Sequence, residues 1–531
     1  MIRWWEKRLR EAPRDGVARR RFLQHSLWLS GAAMLAPLAG RTQTAARPRF
    51  VAEPFALGVA SGYPRPDGFS LWTRLAPAPL LPDGGMPPEM HELQCEIARD
   101  EGFADIAQRS SVRCYPELGH SVHLDVSGLE PDREYHYRFI AGDAVSRVGR
   151  ARTAPAAGQA VAHYRLAFAS CQNYEHGYFS AYRQMLKDAP HLVMFLGDYI
   201  YENQWGSTPV RRHLGPECQT LGEYRTRHAQ YKLDPDLQAM HAACPFVLTW
   251  DDHEVDNDYA GEVSENLDPQ FWMRRAAAYQ AYYEHQPLPR AAAPQRGEVR
   301  LYRHLDIGDL LRIYLLDNRQ YRSPQGCPTP NRHGSSYPSD CAELADPART
   351  MLGAAQEQWF AARCRDSRAR WDLVAQQTLV APMDETPGPG HSVWTDGWDG
   401  YPAARARMLE SLKAARRRNI VFAGGDLHCT VVGQIPGQMD EVDSAPVASE
   451  FLATALAAEG FPPERFVQRR ADNPHLLHMD GAERGYVRFD LSPQRIEASL
   501  VAVSDIRERE PSITISRQYL VEDGRPGPRP A

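Results

Sequence analysis

The sequence predicts an α/β domain over residues 161–510, preceded by a small antiparallel β-sandwich over residues 50–155. Three observations predict it. Between Tyr164 and Ala423, apolar runs of strand length recur and stop at Gly or polar residues, the pattern of strands covered on both faces. Helix-period stretches at 181–187 and 272–284 separate some of these runs. Ahead of them, short strand-like runs broken by Gly, Pro and Asp follow one another at the spacing of a sandwich.

The first 46 residues stand outside this core. Arg19-Arg20-Arg21-Phe22-Leu23 precedes an apolar stretch at 26–38, and small residues up to Ala46 follow. This pattern resembles a twin-arginine export signal whose apolar part is too short to cross a bilayer. It implies the twin-arginine translocase as a partner, a periplasmic or extracellular address, and no transmembrane anchor. The segment holds nine Lys/Arg and three Asp/Glu, a charge of +6, so its removal takes the chain from −6 to −12. An acidic remainder is a poor match for a phosphate backbone, and no stable nucleic-acid complex is expected. A monomer is expected.

Nine cysteines are present. Export permits disulfides, and Cys327 with Cys341, in a Pro/Ser/Gly-rich loop, is the expected pair. Cys171 is expected to stay a thiol.

In the front module, strands are expected at 55–60, 69–74, 92–97, 121–126 and 135–140. Residues 129–135 fit the turn before a tyrosine corner, in which the Tyr135 hydroxyl bonds back to the chain. No acids, histidines and thiols collect here, so the module is read as structural or substrate-shaping, and 154–158 as the linker.

In the α/β domain, buried strands are expected at 164–171, 192–196, 246–250, 311–316, 371–375 and 420–423. Ligands of such sheets sit where the strands end, and the tails here are Cys171-Gln172-Asn173, Gly197-Asp198-Tyr199-Ile200-Tyr201, Asp251-Asp252-His253-Glu254-Val255-Asp256-Asn257, Gln376-Gln377, and Gly424-Gly425-Asp426-Leu427-His428. One tail alone is an ordinary polar turn. Together they offer thiol, carboxylate, phenol, amide and imidazole from separate strands, which is what a multinuclear metal site requires. A strongly charged cation favours deprotonated ligands and depresses the pKa of a nearby phenol or thiol, while Asp and Asn oxygens suit calcium. P-loop and dinucleotide-type glycine motifs are absent, and Ser170 lacks a nucleophile-elbow context.

Residues 168–172 (F-A-S-C-Q), 196–202 (L-G-D-Y-I-Y-E), 224–231 (Y-R-T-R-H-A-Q-Y), 249–257 (T-W-D-D-H-E-V-D-N), 274–285 and 398–402 (W-D-G-Y-P) together resemble the PhoD family of alkaline phosphatases and phosphodiesterases, within the calcineurin-like metallophosphoesterases. The similarity runs from about residue 50 to 510. It implies a four-layer α/β/β/α core and a centre of Fe3+ and Ca2+. Carried across by position, Cys171 and Tyr201 would ligate iron, Asp198 would bridge iron and calcium, and Asp252, Asn257 and Asp426 would serve calcium. His428 would join the iron side, and His253 would be the catalytic imidazole that contacts substrate or leaving group. Asp251 is left between ligation and support of the turn.

The implied reaction is attack on phosphorus by a hydroxide held between the metals, on phosphate monoesters and diesters. The substrate would be a small phosphoester, or a polymer or lipid in a phospholipase D-like or wall-polymer phosphodiesterase. A non-catalytic metal-binding envelope protein is the reading from another class. The chain departs from the family at 450–458, where E-F-L-A-T-A-L-A-A stands for E-F-V-G-T-S-I-T-S, which bears on a loop near the pocket. Residues 511–531, rich in Pro and Gly, are expected as a C-terminal tail, and no lid helix is identified in them.

Overall fold

The computed structural model describes residues 50–206 and 208–531, so the export signal expected at 1–46 lies outside the described residues. The front part contains β1 (Val59–Arg65), β2 (Gly68–Arg74), β3 (His91–Ala98), β4 (Ile106–Cys114), β5 (Ser121–Val126), β6 (Glu134–Ala141), β7 (Ala144–Val145) and β8 (Gly149–Arg152). Strands β3, β4, β6, β7 and β8 make a five-stranded sheet, whereas β1, β2 and β5 belong to a ten-stranded sheet shared with the rest of the chain. The front module therefore lends one of its layers to the main sheet. A shared core, with Val59, Leu71, Val122, Ile97, Tyr137 and Phe139, packs the two layers together. The strand expected at 55–60 starts at Val59, because a turn closed by Gly58 N–H to the Phe55 carbonyl (2.8 Å) comes first. Tyr135 is buried and its hydroxyl accepts the Glu130 N–H at 3.0 Å, as a tyrosine corner requires.

The remaining elements are β9 (Tyr164–Ala169), α1 (Ala181–Asp188), β10 (Leu192–Leu196), α2 (Leu221–Lys232), α3 (Pro235–Ala243), β11 (Phe246–Thr249), α4 (Phe271–His285), β12 (Arg303–Ile307), β13 (Leu311–Leu315), α5 (Gly353–Asp366), β14 (Trp371–Ala375), α6 (Pro402–Ala414), β15 (Ile420–Gly424), β16 (Thr430–Gln438), β17 (Glu441–Leu452), α7 (Pro463–Asp472), β18 (Leu476–Asp480), β19 (Arg484–Leu491), β20 (Arg495–Val503), β21 (Ile513–Glu522) and β22 (Arg525–Pro530). The ten-stranded order is β22-β21-β20-β19-β9-β10-β11-β1-β2-β5, and a seven-stranded sheet runs β12-β13-β14-β15-β17-β16-β18.

Side-chain alternation explains how the two sheets are covered. Leu311, Ile313 and Leu315 of β13, Leu373 of β14 and Val421 and Ala423 of β15 join a core with β9, β10 and β19. Their neighbours Tyr314, Val374 and Phe422 point the other way, into a second core with Phe360 of α5 and Met408 and Leu412 of α6. Phe451 of β17 meets Phe489 of β19 edge-to-face at 5.1 Å, one contact between the sheets. Tyr182, Tyr231, Met240 and Tyr279, from α1 to α4, belong to the first core. Helix starts follow local chemistry: Thr220 and Glu223 form a capping box on α2, and Asp234 caps α3 ahead of Pro235.

The tail expected at 511–531 is instead two strands, β21 antiparallel to β20 and β22 antiparallel to β21. The Pro and Gly content misleads because β22 is the sheet edge, where a missing N–H leaves no inner ladder bond unmade. Among the described residues, no helix is long and apolar enough to cross a membrane.

Candidate metal centre

The ends of β9, β10 and β11 in the larger sheet converge with the end of β15 in the smaller one. Cys171 N–H donates to the Gly197 carbonyl at 3.1 Å, tying the first two tails together. Two glycines mark how closely the tails approach: a Cβ on Gly197 would stand 2.4 Å from Asp251 Cβ, and one on Gly425 would stand 2.0 Å from Ser170 Oγ. Cys171, Asp198, Asp426 and His428 all take positive φ, at 58°, 56°, 67° and 49°. Each such non-glycine conformation costs on the order of 1 kcal/mol or more, and clustering of this kind belongs to functional sites.

Candidate donor atoms of Cys171, Asp198 and His428 lie within 4.8 Å of one another, and so do those of Asp198, Asp252 and His253. Asp198 is thus common to both groups. Tyr201 links into the first: its hydroxyl stands 3.0 Å from Asp198 Oδ2 and 3.0 Å from Nε2 of His428. His428 Nδ1 donates to the Glu459 carbonyl, which leaves Nε2 as the ligand-type nitrogen. Asp252, Asn257 and Asp426 line the same cavity of about 310 Å³, with Asp198, His253 and His428. Asn257 donates its amide to Glu265 at 3.1 Å, so its carbonyl oxygen stays available.

Asp252, rather than Asp251, lines the cavity; Asp251 receives the Nε–H of Arg319 and supports the turn. Gln376 and Gln377 hold the frame instead of the site. Gln377 donates to Thr249 Oγ1 at 2.8 Å and to the Trp250 carbonyl at 2.7 Å, joining the sheets. The divergent loop at 450–458 brings Ala455 and Ala458 against Cys171 and Tyr201, so it packs on the candidate ligands themselves.

Electrostatics show a site built for added positive charge. Burial pushes Asp198 and Asp426 well above the usual carboxylate range, with Asp251 and Asp252 adding to both. Burial likewise raises the Cys171 thiol and the Tyr201 phenol, and Asp198 pushes both further. Asp198 Oδ1, Asp252 Oδ1 and Asp426 Oδ2 are buried without hydrogen-bond partners. Cations would satisfy these oxygens and reverse the shifts, and the donors divide into a half with thiol, phenol and imidazole and a half with oxygen donors alone. Burial holds His428 down at about 3, neutral as a ligand must be. For His253, burial lowers the pKa, but Glu202, Asp252 and Asp198 together outweigh it and hold the ring well above its ordinary value.

Several supporting residues were not legible as site residues. Glu202 accepts His253 Nδ1–H at 2.8 Å and the Asn257 N–H at 3.0 Å, fixing two site groups at once. Glu254 accepts the backbone N–H of Asp198 (3.1 Å), Tyr199 (2.6 Å) and Asp251 (2.9 Å). Tyr231 of α2 accepts the Tyr201 N–H at 3.1 Å. His176 accepts the Glu459 N–H at 3.0 Å and so steadies the carbonyl that orients His428. Buried Arg319 binds Asp251 and Asp396 and lies 3.6 Å from Asp252. Its signal was present: Asp317-Asn318-Arg319 is the tail of β13, a strand end like the others.

Acids, imidazoles, a thiol and a phenol converge at the strand ends of a mixed α/β frame as a candidate metal centre, and known proteins make the class a phosphoesterase. Residues 166–500 match the model of the PhoD-like phosphatase, and residues 41–155 match that of its N-terminal domain. The chain belongs to the PhoD-like phosphatase family. Alkaline phosphatase D of Bacillus subtilis (strain 168) is 39% identical over 544 residues, which cover 99% of this chain and 91% of that protein. The solved structure of PhoD matches with a TM-score of 0.86 at 40% identity, over 91% of this chain and 93% of that one. The chain is accordingly an enzyme, which sets aside the non-catalytic reading.

Proposed function

We propose that this enzyme is exported and hydrolyses phosphate monoesters and diesters at a centre of ferric iron and calcium. The observation that carries the reading is Asp198, which belongs to both groups of candidate ligands. Cys171, Tyr201 and His428 would hold iron, Asp252, Asn257 and Asp426 would hold calcium, and Asp198 would bridge. When bound, such cations supply Lewis-acid polarisation of the phosphoryl oxygens and of the attacking water. His253, fixed through Nδ1 by Glu202, keeps Nε2 for the cavity, where a protonated ring donates to the departing ester oxygen. Trp205 stands edge-on to His253 at 4.9 Å and lines the same cavity, limiting water around that proton. We read the facing sheets, with α5 and α6 on one and α1 to α4 against the other's core, as the four-layer α/β/β/α arrangement. Export rests on the Arg19-Arg20 pattern alone.

The test is elemental analysis of the purified protein beside turnover of nitrophenyl phosphate and bis-nitrophenyl phosphate, with and without added calcium. Full activity in an iron-free, zinc-only protein would remove the metal assignment. Replacing Arg19 and Arg20 with Lys is expected to retain the enzyme in the cell, and unchanged secretion would sink the export reading.

A further inference from the structure

The string at 224–231 lies on α2, where Tyr224, Arg227 and Tyr231, three and four residues apart, share one face of the helix. All three are buried. The capping box on Thr220 and Glu223 fixes where α2 starts, and with it the level at which each side chain leaves the helix. That face meets the backbone behind the candidate ligands. Tyr231 Oη accepts the N–H of Tyr174, three residues after Cys171, at 3.0 Å and the N–H of Tyr201 at 3.1 Å. One turn earlier, Arg227 donates Nη1 to the Tyr201 carbonyl and Nη2 to the Pro216 carbonyl at 3.0 Å. Tyr224 donates its hydroxyl to the Val255 carbonyl, between Asp252 and Asn257.

The tails of β9 and β10 start side by side, with Cys171 N–H on the Gly197 carbonyl and Gln172 N–H on the Asp198 carbonyl, both at 3.1 Å. Further along, the Tyr231 oxygen joins them. A phenol has two lone pairs and one proton. With a tail N–H on each lone pair, the proton goes to Nε2 of His213 at 3.0 Å. Burial, and then the charge of Arg227, holds the His213 ring down at about 2, so it is neutral and can accept. Every bond open to that oxygen is therefore made. The Tyr231 ring packs against Tyr174 and Phe179, with centroids 5.5 and 5.8 Å apart, and a phenylalanine would fill the same place. Packing explains an aromatic residue here; only the ligand tails explain its hydroxyl.

We propose that Tyr231 is a positioning residue of the metal centre, its phenol setting the separation of Cys171 and Tyr201. Arg227 holds the same tail, and Tyr224 holds the tail that bears Asp252 and Asn257. None of the three is among the described residues that line the cavity. They act through the backbone of the ligands and not on the substrate. The proposal rests on the proposed assignment of Cys171 and Tyr201 to iron and of Asp252 and Asn257 to calcium.

The test uses the purified holoenzyme and reads its visible iron band, the rate at which a chelator removes iron, and the calcium needed for half-maximal turnover of nitrophenyl phosphate. Tyr231→Phe deletes one oxygen. At equal iron content its band is expected to shift, and iron to leave about tenfold faster than from the parent. Tyr224→Phe is expected to keep the parent's band and iron release and to raise the calcium requirement about tenfold. Tyr314→Phe is the control: this phenol, buried in the second core, donates to Asp372 at 2.9 Å, and its loss should lower the melting temperature while both metal readouts stay with the parent. A parent-like band and iron release in folded Tyr231→Phe overturn the proposal, and so do equal changes in Tyr314→Phe. If Tyr231→Phe does not fold, Arg227→Met is read in the same way. A parent without iron or colour fails the metal assignment and this proposal with it, a result distinct from a coloured parent whose band ignores Tyr231.

Discussion

The phenol of Tyr201 and the carboxylate of Asp198, three residues apart in sequence, meet at 3.0 Å, with Nε2 of His428 equally close to the phenol oxygen. A single proton on that oxygen faces two acceptors. A ferric ion in its place would take phenolate, carboxylate and imidazole together. The purified enzyme is therefore expected to contain iron and to be coloured, since phenolate and thiolate bound to ferric iron give visible charge-transfer bands. Tyr201→Phe should shift or bleach the band, and absorption spectra at equal iron content check it.

Asp198→Asn keeps size and removes charge from the residue common to both ligand groups. Loss of both metals is expected, together with a fall in turnover of several decades. His253→Ala is expected to cost about two to four decades while metal content stays near the parent's, as suits an imidazole acting on substrate. Because His253 also stands within ligand distance of Asp198 and Asp252, metals per chain measured beside turnover decide its role. An empty site in His253→Ala would make it a ligand.

Arg319 is the buried counter-charge of Asp251 and Asp396. Arg319→Met leaves the buried Asp251 unpaired while Asp396 keeps Arg322, and a loss of about 3–5 kcal/mol is expected in urea unfolding. Arg319→Lys should recover only part, because a point charge cannot reproduce a guanidinium that serves both carboxylates.

His123 gives a pH signature remote from the metals. Burial pulls its pKa down to about 4, against the partial support of the Leu288 carbonyl 3.0 Å from Nδ1. A folded pKa below the unfolded one means that the stability is full above about pH 6.5 and is lost as pH falls toward 4, where only the unfolded chain takes the proton. His123→Phe keeps the stack on Tyr283 and cannot titrate. Relative to this variant, the parent should lose about 3 kcal/mol across that window, read from urea midpoints at each pH.

The Cys327–Cys341 bridge spans a sequence separation of 14 residues. Cys341→Ser is expected to lower stability by up to about 3 kcal/mol. Since Arg332, Ser335 and Tyr337 of this loop line the cavity, KM should rise more than kcat falls, which steady-state kinetics with and without reductant will show.

Strands 192–196 and 371–375 were legible at their bounds because both faces are buried and the apolar run is unbroken. Strands β4 and β17 were not: Ile106-Ala107-Gln108-Arg109-Ser110-Ser111 and Glu441-Val442-Asp443-Ser444 face solvent in part, so no apolar run announces them. The thiol and the acids of the site stood out because their strand ends could be lined up along the chain. Their supports did not. Glu202 and Glu254 act on backbone N–H groups and on His253, relations that exist only after distant tails meet. The alanines at 455 and 458 look like a loop change in sequence, yet in space they are neighbours of Cys171 and Tyr201.

The larger sheet takes strands from both ends of the chain, β1 near its beginning and β22 near its close. Its middle strand β9, which delivers Cys171, lies between β10 and β19, and Phe168 faces Val487. During synthesis, the strand bearing the thiol must therefore wait more than three hundred residues for its second neighbour. Contacts so remote in sequence form slowly and reward the chain only when nearly all of it is present. The sheet therefore closes around the strand that bears the thiol only once β19 is present, and a chain stopped before residue 491 is expected to leave that strand with an open edge.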